Sequence, residues 1–166
     1  GNHLLENAFS LLFGAYYFQD EELYSKSVKI LKRQLNEQIL QDGGHFELSP
    51  MYHQIMLFRV LDCIQLIKLN SWKNDDLLNL LKEISSKMLS WLDKITFNNG
   101  DIPMVNDSAF QIAPSSEELL DYGKSLGINR RDVKLSDSGY RMFKNIKYEL
   151  LMDLGEVGAS YQPGHV

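Results

Sequence analysis

The sequence predicts a mainly α-helical chain whose helices pair as antiparallel hairpins, with strands only near its C-terminal end. Three observations predict it. Apolar residues recur at three- and four-residue spacing through residues 1–95. Helix punctuation falls between the periodic runs, with Asp20 and Ser49-Pro50 as starts and Gly43-Gly44 as a breaker. After residue 96 the texture changes to turn signals and then to short strand-like runs. The division expected is a helical segment over 1–130 and a β segment over 131–166.

The first helix is expected over 3–18, with Leu4, Leu5, Ala8, Phe9, Leu11, Leu12 and Phe13 in a stripe wide enough to be buried on most sides. Gly14 weakens it but allows close approach of a neighbour. The cluster Phe9, Phe13, Tyr16, Tyr17 and Phe18 reads as core. Asp20 caps a second helix, 21–39, whose apolar face is Leu23, Val28, Ile30, Leu31, Leu35 and Ile39. The loop 41–48 follows. Ser49 as N-cap and Pro50 at the first helical position open a third helix, about 50–69. A fourth, about 74–95, opens at Asn74-Asp75. Helices of this length joined by short loops fit either a bundle or a section of a larger helical ring. Ser115 or Ser116 caps a short helix over 116–125. Residues 138–143 and 147–154 read as two strands, which need partners from elsewhere or must fold back on the helices.

Composition narrows function. Lys plus Arg number 17 against 22 Asp plus Glu, a formal charge of −5, so nothing drives the chain onto nucleic acid or an anionic membrane. Cys63 is the only cysteine, which excludes a disulfide within these residues and a multi-Cys zinc finger. No apolar run approaches the ~20 residues that span a bilayer, and no signal peptide is expected at the start.

The histidines are His3, His45, His53 and His165. His45 and His53 flank the junction GGHFELSPMYH. With Ser49 as cap, Tyr52 falls in the first turn of its helix, where unpaired N–H groups and the macrodipole favour negative charge. That environment lowers the cost of a phenolate, which a catalytic tyrosine needs. A tyrosine hydrogen-bonded at a helix start is the plainer alternative. In Asn2-His3-x-x-Glu6 the imidazole and carboxylate are three apart on one face, so Glu6 can fix the tautomer of His3 and orient the Asn2 amide. Asn2 as a simple helix cap also fits. One His and one Glu are too few for a metal centre. Asn106 and Asp107 lie in a loop, for ligand contact or for an Asx turn.

Taken together, GNHLLEN, DGGHFELSPMYHQ, IPMVNDSAF, SGY and DLGEVGASYQPGH resemble, in order and spacing, the heparinase II/III-like polysaccharide lyases and the related oligoalginate lyases. The resemblance implies an incomplete α/α toroid followed by an antiparallel β-sandwich, of which 131–166 would be the first strands. It implies β-elimination on uronic-acid-containing polysaccharide, an anionic polymer or oligomer, in a periplasmic or secreted setting. By resemblance Asn2 neutralises the substrate carboxylate. His3 assists in charge neutralisation or proton abstraction, supported by Glu6. Tyr52 donates to the leaving oxygen or acts as base, and His165 completes the site. Glu6, His45, His53, Asn106 and Asp107 are the candidates for substrate contact. The resemblance also implies a structural zinc in full-length relatives, held by residues past the PGH motif, so no metal or other cofactor is expected within 1–166 and the chain reads as the central slice of a longer lyase. A non-catalytic carbohydrate-binding or helical scaffold protein is the alternative reading.

Overall fold

The computed structural model describes residues 2–73 and 76–155. Its helices are α1 (Asn2–Phe18), α2 (Glu21–Gln38), α3 (Pro50–Leu69), α4 (Leu77–Ile95) and α5 (Ser116–Ser125), followed by strands β1 (Tyr140–Lys144) and β2 (Glu149–Asp153). The chain is therefore mainly helical with an antiparallel pair of strands at its C-terminal side, as expected.

The predicted starts are visible as capping bonds. Asp20 Oδ1 accepts from the backbone N–H of Glu22 and of Leu23, both at 2.9 Å. Ser49 Oγ accepts from Tyr52 N at 3.3 Å. Ser115 rather than Ser116 opens α5, in a capping box with Glu118. The Asn74-Asp75 start expected for α4 lies outside the described residues. Asp76 precedes α4 with no side-chain capping bond.

Helix α1 packs on α2 and α3 on α4. Contacts of α1 with α3 and of α2 with α4 join the two hairpins, and α5 packs on both α3 and α4. One core runs between them. Leu5, Leu12, Leu31, Leu35, Leu57, Leu61, Ile64, Leu77, Leu81 and Met88 are fully buried, each worth roughly 1.5–3 kcal/mol relative to exposure. Cys63 lies in this core on α3, and burial pushes its thiol well above the usual range.

Helix α1 departs from expectation. Leu5, Ala8, Phe9, Leu12, Ala15 and Tyr16 are buried, but Tyr17 is 83% and Phe18 71% exposed, and Phe13 is also exposed. Among the described residues α1 packs chiefly on α2 and α3, with Trp72 against Tyr16, so one face is buried. A side chain at Gly14 would meet nothing within 4 Å, so this glycine mediates no close approach. The close approach occurs at Gly43-Gly44 instead. A Cβ there would come within 2.3 Å of the Lys87 carbonyl oxygen and 2.8 Å of Trp91 Nε1 on α4, and Gly43 has φ +93°.

The strands pair in the register Tyr140↔Asp153 to Lys144↔Glu149. Their turn is closed by Asn145, whose Oδ1 accepts from Lys147 N at 2.8 Å and Tyr148 N at 3.0 Å. The hairpin folds back on the helices. Tyr140 is fully buried in a second cluster with Leu48, Trp91 and Ile95, its ring centroid 5.7 Å from that of Trp91. Asp42, in the loop after α2, ties the two layers. Its Oδ1 accepts from Gly44 N at 3.0 Å. Its Oδ2 accepts from Asp137 N at 3.1 Å, Ser138 N at 2.8 Å and Ser138 Oγ at 2.7 Å. The opposite face of the hairpin leaves Phe143, Leu150 and Met152 exposed.

Candidate active site

The N-terminal end of α3 is fixed from two sides. Ser49 caps it from within, and Ser108, from the loop before α5, approaches from outside. Ser108 Oγ lies 3.1 Å from Ser49 Oγ and accepts from Met51 N at 3.3 Å. This uses donors that a helix start leaves unpaired. Tyr52 therefore begins a helix whose first turn is held, and its half-buried phenol donates to Asp107 Oδ2 at 3.2 Å.

This contact reverses one expectation. The helix start was expected to ease ionisation of Tyr52. Instead the phenol is pushed above its ordinary value, by burial first, then by the charge and hydrogen bond of Asp107, and then by Glu47. Burial, together with a carboxylate in direct contact, outweighs the partial positive charge of a helix end. Tyr52 is thus a neutral hydrogen-bond donor.

Asn106 and Asp107 follow one another in the loop before α5. Both are left-handed, with φ 49° and 58°. Asn106 Nδ2 lies 2.8 Å from Asp153 Oδ2, 3.1 Å from Tyr140 Oη and 3.2 Å from the Leu48 carbonyl oxygen. Tyr140 also donates to that carbonyl. Asn106 thus links the loop before α3, the loop before α5 and both strands, and is spent on structure. Asp107, beside it, is left facing Tyr52.

Helix α1 forms the neighbouring wall. His3 is exposed in its first turn. Glu6, expected to support His3 and Asn2, has its Oε2 3.3 Å from Nε of Arg59 on α3. Arg59 is seven residues after Tyr52, about two turns or ~10 Å along the same helix face. This pair sets the first turns of α1 alongside the face that carries Tyr52. A groove of about 430 Å³ lies between α1 and α3, lined by Glu6, Phe9, Ser10, Phe13, Arg59 and Asp62. Arg59 and Ser108 were not singled out in the sequence. The seven-residue spacing from Tyr52 was the available signal for Arg59. Asn2 is the first residue of α1, and His165 lies outside the described residues.

His45 and His53 are corrections to the substrate-contact set, for both are fully buried. His53 Nε2 lies 3.1 Å from the Met88 carbonyl oxygen, which only accepts, so Nε2 carries the proton. His45 Nε2 lies 3.3 Å from Gln38 Oε1, and Gln38 Nε2 donates to Gln34 Oε1 at 2.8 Å, so His45 is the same tautomer. Each Nδ1 is a buried acceptor with no hydrogen-bond partner among the described residues. Burial lowers both imidazoles to about 3, so they are neutral packing groups, His53 lying against Trp91 with ring centroids 4.5 Å apart. Among the described residues no three His, Cys, Asp or Glu side chains are grouped to hold a metal ion, and no helix is long and apolar enough to cross a membrane.

Comparison with known proteins gives the class. Residues 1–122 match the family described as Heparinase II/III N-terminus, and the chain belongs to that family. The match takes in Asn2, His3, Glu6, Tyr52, Asn106 and Asp107, and stops before the strands. One curated relative is a protein named heparin-sulfate lyase from Bacteroides stercoris, 29% identical over 126 residues, which are 74% of this chain and 18% of the relative. The chain thus spans under a fifth of the length of that relative. No solved structure matches.

Proposed function

We propose that this chain supplies one wall of the active site of a polysaccharide lyase, which cleaves uronic-acid-containing polysaccharide by β-elimination. The observation that carries the reading is the half-buried Tyr52 hydroxyl at the start of α3, donating to Asp107 Oδ2 at 3.2 Å. Membership of the heparinase II/III N-terminus family and the name of the relative support it.

In this reading a uronate lies across the start of α3. Its C5 proton is weakly acidic because the adjacent carboxylate resists further negative charge. The Asn2 amide offsets that charge without adding a cation. His3, exposed in the first turn of α1, takes or helps to take the C5 proton. Tyr52 gives its proton to the glycosidic oxygen as the C4–O bond breaks. His165 completes the site from the C-terminal side, and Glu6 and Asn106 act by holding Arg59 and the 105–108 loop. The helical hairpins form part of an α/α toroid, and the strands open a β-sandwich. The substrate is an anionic polysaccharide, met in a periplasmic or extracellular compartment.

The test is elimination itself. Cleavage of a uronate polymer creates a 4,5-unsaturated uronate end, whose conjugated double bond absorbs in the ultraviolet. The protein should raise that absorbance, and Tyr52→Phe should abolish the rise with unchanged circular dichroism. A Tyr52→Phe protein of undiminished activity would remove Tyr52 from the mechanism. Saccharide binding with no unsaturated product would favour a non-catalytic carbohydrate-binding role.

A further inference from the structure

We propose that Asp107 is a positioning residue that holds Tyr52 protonated and aimed, committing it to the role of acid and leaving proton abstraction to another group. The inference rests on the lyase reading above and deepens it.

Three observations carry it. First, an ionised carboxylate only accepts, so the 3.2 Å contact orients the Tyr52 proton toward Asp107 Oδ2. Second, Asp107 is locked on both sides. Asn106 before it is fastened to Leu48, Tyr140 and Asp153, and Ser108 after it to Ser49 and Met51. Third, Asp107 and Asn106 are held at positive φ, a conformation that persists only where the surroundings impose it. The loop therefore places the Asp107 carboxylate against the Tyr52 hydroxyl, and its charge and hydrogen bond add to burial in raising the phenol.

The chemistry follows from competition for a single proton. In the resting protein the Tyr52 hydroxyl donates to Asp107. A neutral glycosidic oxygen is a weaker acceptor and does not displace it. When the base takes the C5 proton, the electron pair forms the C4–C5 double bond and the C4–O bonding pair leaves on oxygen. That developing alkoxide is a stronger acceptor than a carboxylate, so Tyr52 transfers its proton only as the bond breaks. The interaction is thus strongest in the transition state. The phenolate left beside Asp107 is disfavoured by like charge and takes a proton back from water. The hydroxide formed is neutralised by the proton held on the base, and the site returns to its starting state.

Asp107→Asn tests this, because Asn tolerates positive φ and keeps the size of the side chain. Asp107→Gly, unstrained at positive φ, is the second variant should Asn fail to fold. The direct measurement is pH titration of the Tyr52 ring by NMR with ¹³Cζ-labelled tyrosine, assigned by the signal lost in Tyr52→Phe. The full chain is used and no substrate is needed. Removing the carboxylate should move the Tyr52 titration to lower pH. In elimination assays kcat should fall on the order of 10- to 100-fold and the alkaline limb of the profile should move the same way. A Tyr52 titration unmoved in a folded Asp107 variant overturns the proposal, as does wild-type kcat with an unshifted profile. Saccharide binding by the wild-type protein with no unsaturated product instead overturns the lyase reading, whatever the titration shows.

Discussion

Trp91 Nε1 donates to Ser138 Oγ at 3.1 Å, and both side chains are fully buried. Ser138 in turn donates to Asp42, so helix α4, the loop after α2 and the approach to β1 meet at one carboxylate. That arrangement holds the hairpin to the helices through polar groups as well as through Tyr140.

Asp42→Ala should therefore be severely destabilising. It leaves the N–H groups of Gly44, Asp137 and Ser138 and the Ser138 hydroxyl without their acceptor. Unsatisfied buried donors cost roughly 1–3 kcal/mol each, so a loss of about 3 kcal/mol or more is expected. Urea denaturation followed by tryptophan fluorescence measures it directly. A loss below ~1 kcal/mol would mean that the two layers are held by apolar contact alone.

Acid should unfold the protein through His45 and His53. Their imidazoles stand at about 3 in the folded chain against an ordinary 6.5. The unfolded state therefore binds more protons between these values, and stability rises with pH there. The contribution is fully present above about pH 6.5 and is lost as pH falls toward 3. Each histidine adds a slope of up to ~1.4 kcal/mol per pH unit. Melting temperature measured from pH 7 to pH 4 should fall steeply, and His53→Gln should flatten the fall. Equal slopes in the two proteins would contradict the burial of His53.

Asn106→Ala should cost about 2–3 kcal/mol, from the lost donors and from forcing Ala into a left-handed conformation. Asn106→Gly removes the same hydrogen bonds without the backbone penalty and should fall about 1 kcal/mol short of that loss. Equal losses in the two variants, by denaturant titration, would show that the positive φ carries no cost.

The Glu6–Arg59 ion pair is partly exposed on both sides, and its coupling should be below ~1 kcal/mol and smaller in high salt. A double-mutant cycle with Glu6→Gln and Arg59→Gln, run at low and high ionic strength, tests this. A coupling above ~2 kcal/mol that salt leaves unchanged would indicate a desolvated pair.

What the sequence made legible follows from how local each signal is. Ser49-Pro50 and Asp20 act within one turn, and α2 and α3 begin where those residues require. Tyr52 at the start of α3 could be placed for the same reason. Its ionisation could not, because it is set by burial and by Asp107, 55 residues away, and both come only with the fold. His45 and His53 look like site residues in a sequence, since a buried neutral imidazole and an exposed one share a letter. The exposed end of α1 misled for a related reason. Periodicity shows which positions are apolar, not how many neighbours the helix has.

Cys63 gives the molecule a chemical clock. It is the sole thiol in the chain, sits in the core against which both hairpins pack, and is held protonated by its surroundings. A disulfide reagent can modify it only when α3 parts from its neighbours. The rate of modification therefore counts openings of the helical core, from one unmodified side chain and with no engineered probe. Applied to the Asp42 and His53 variants, it would separate loosening of the hairpin layer from opening of the core beneath it.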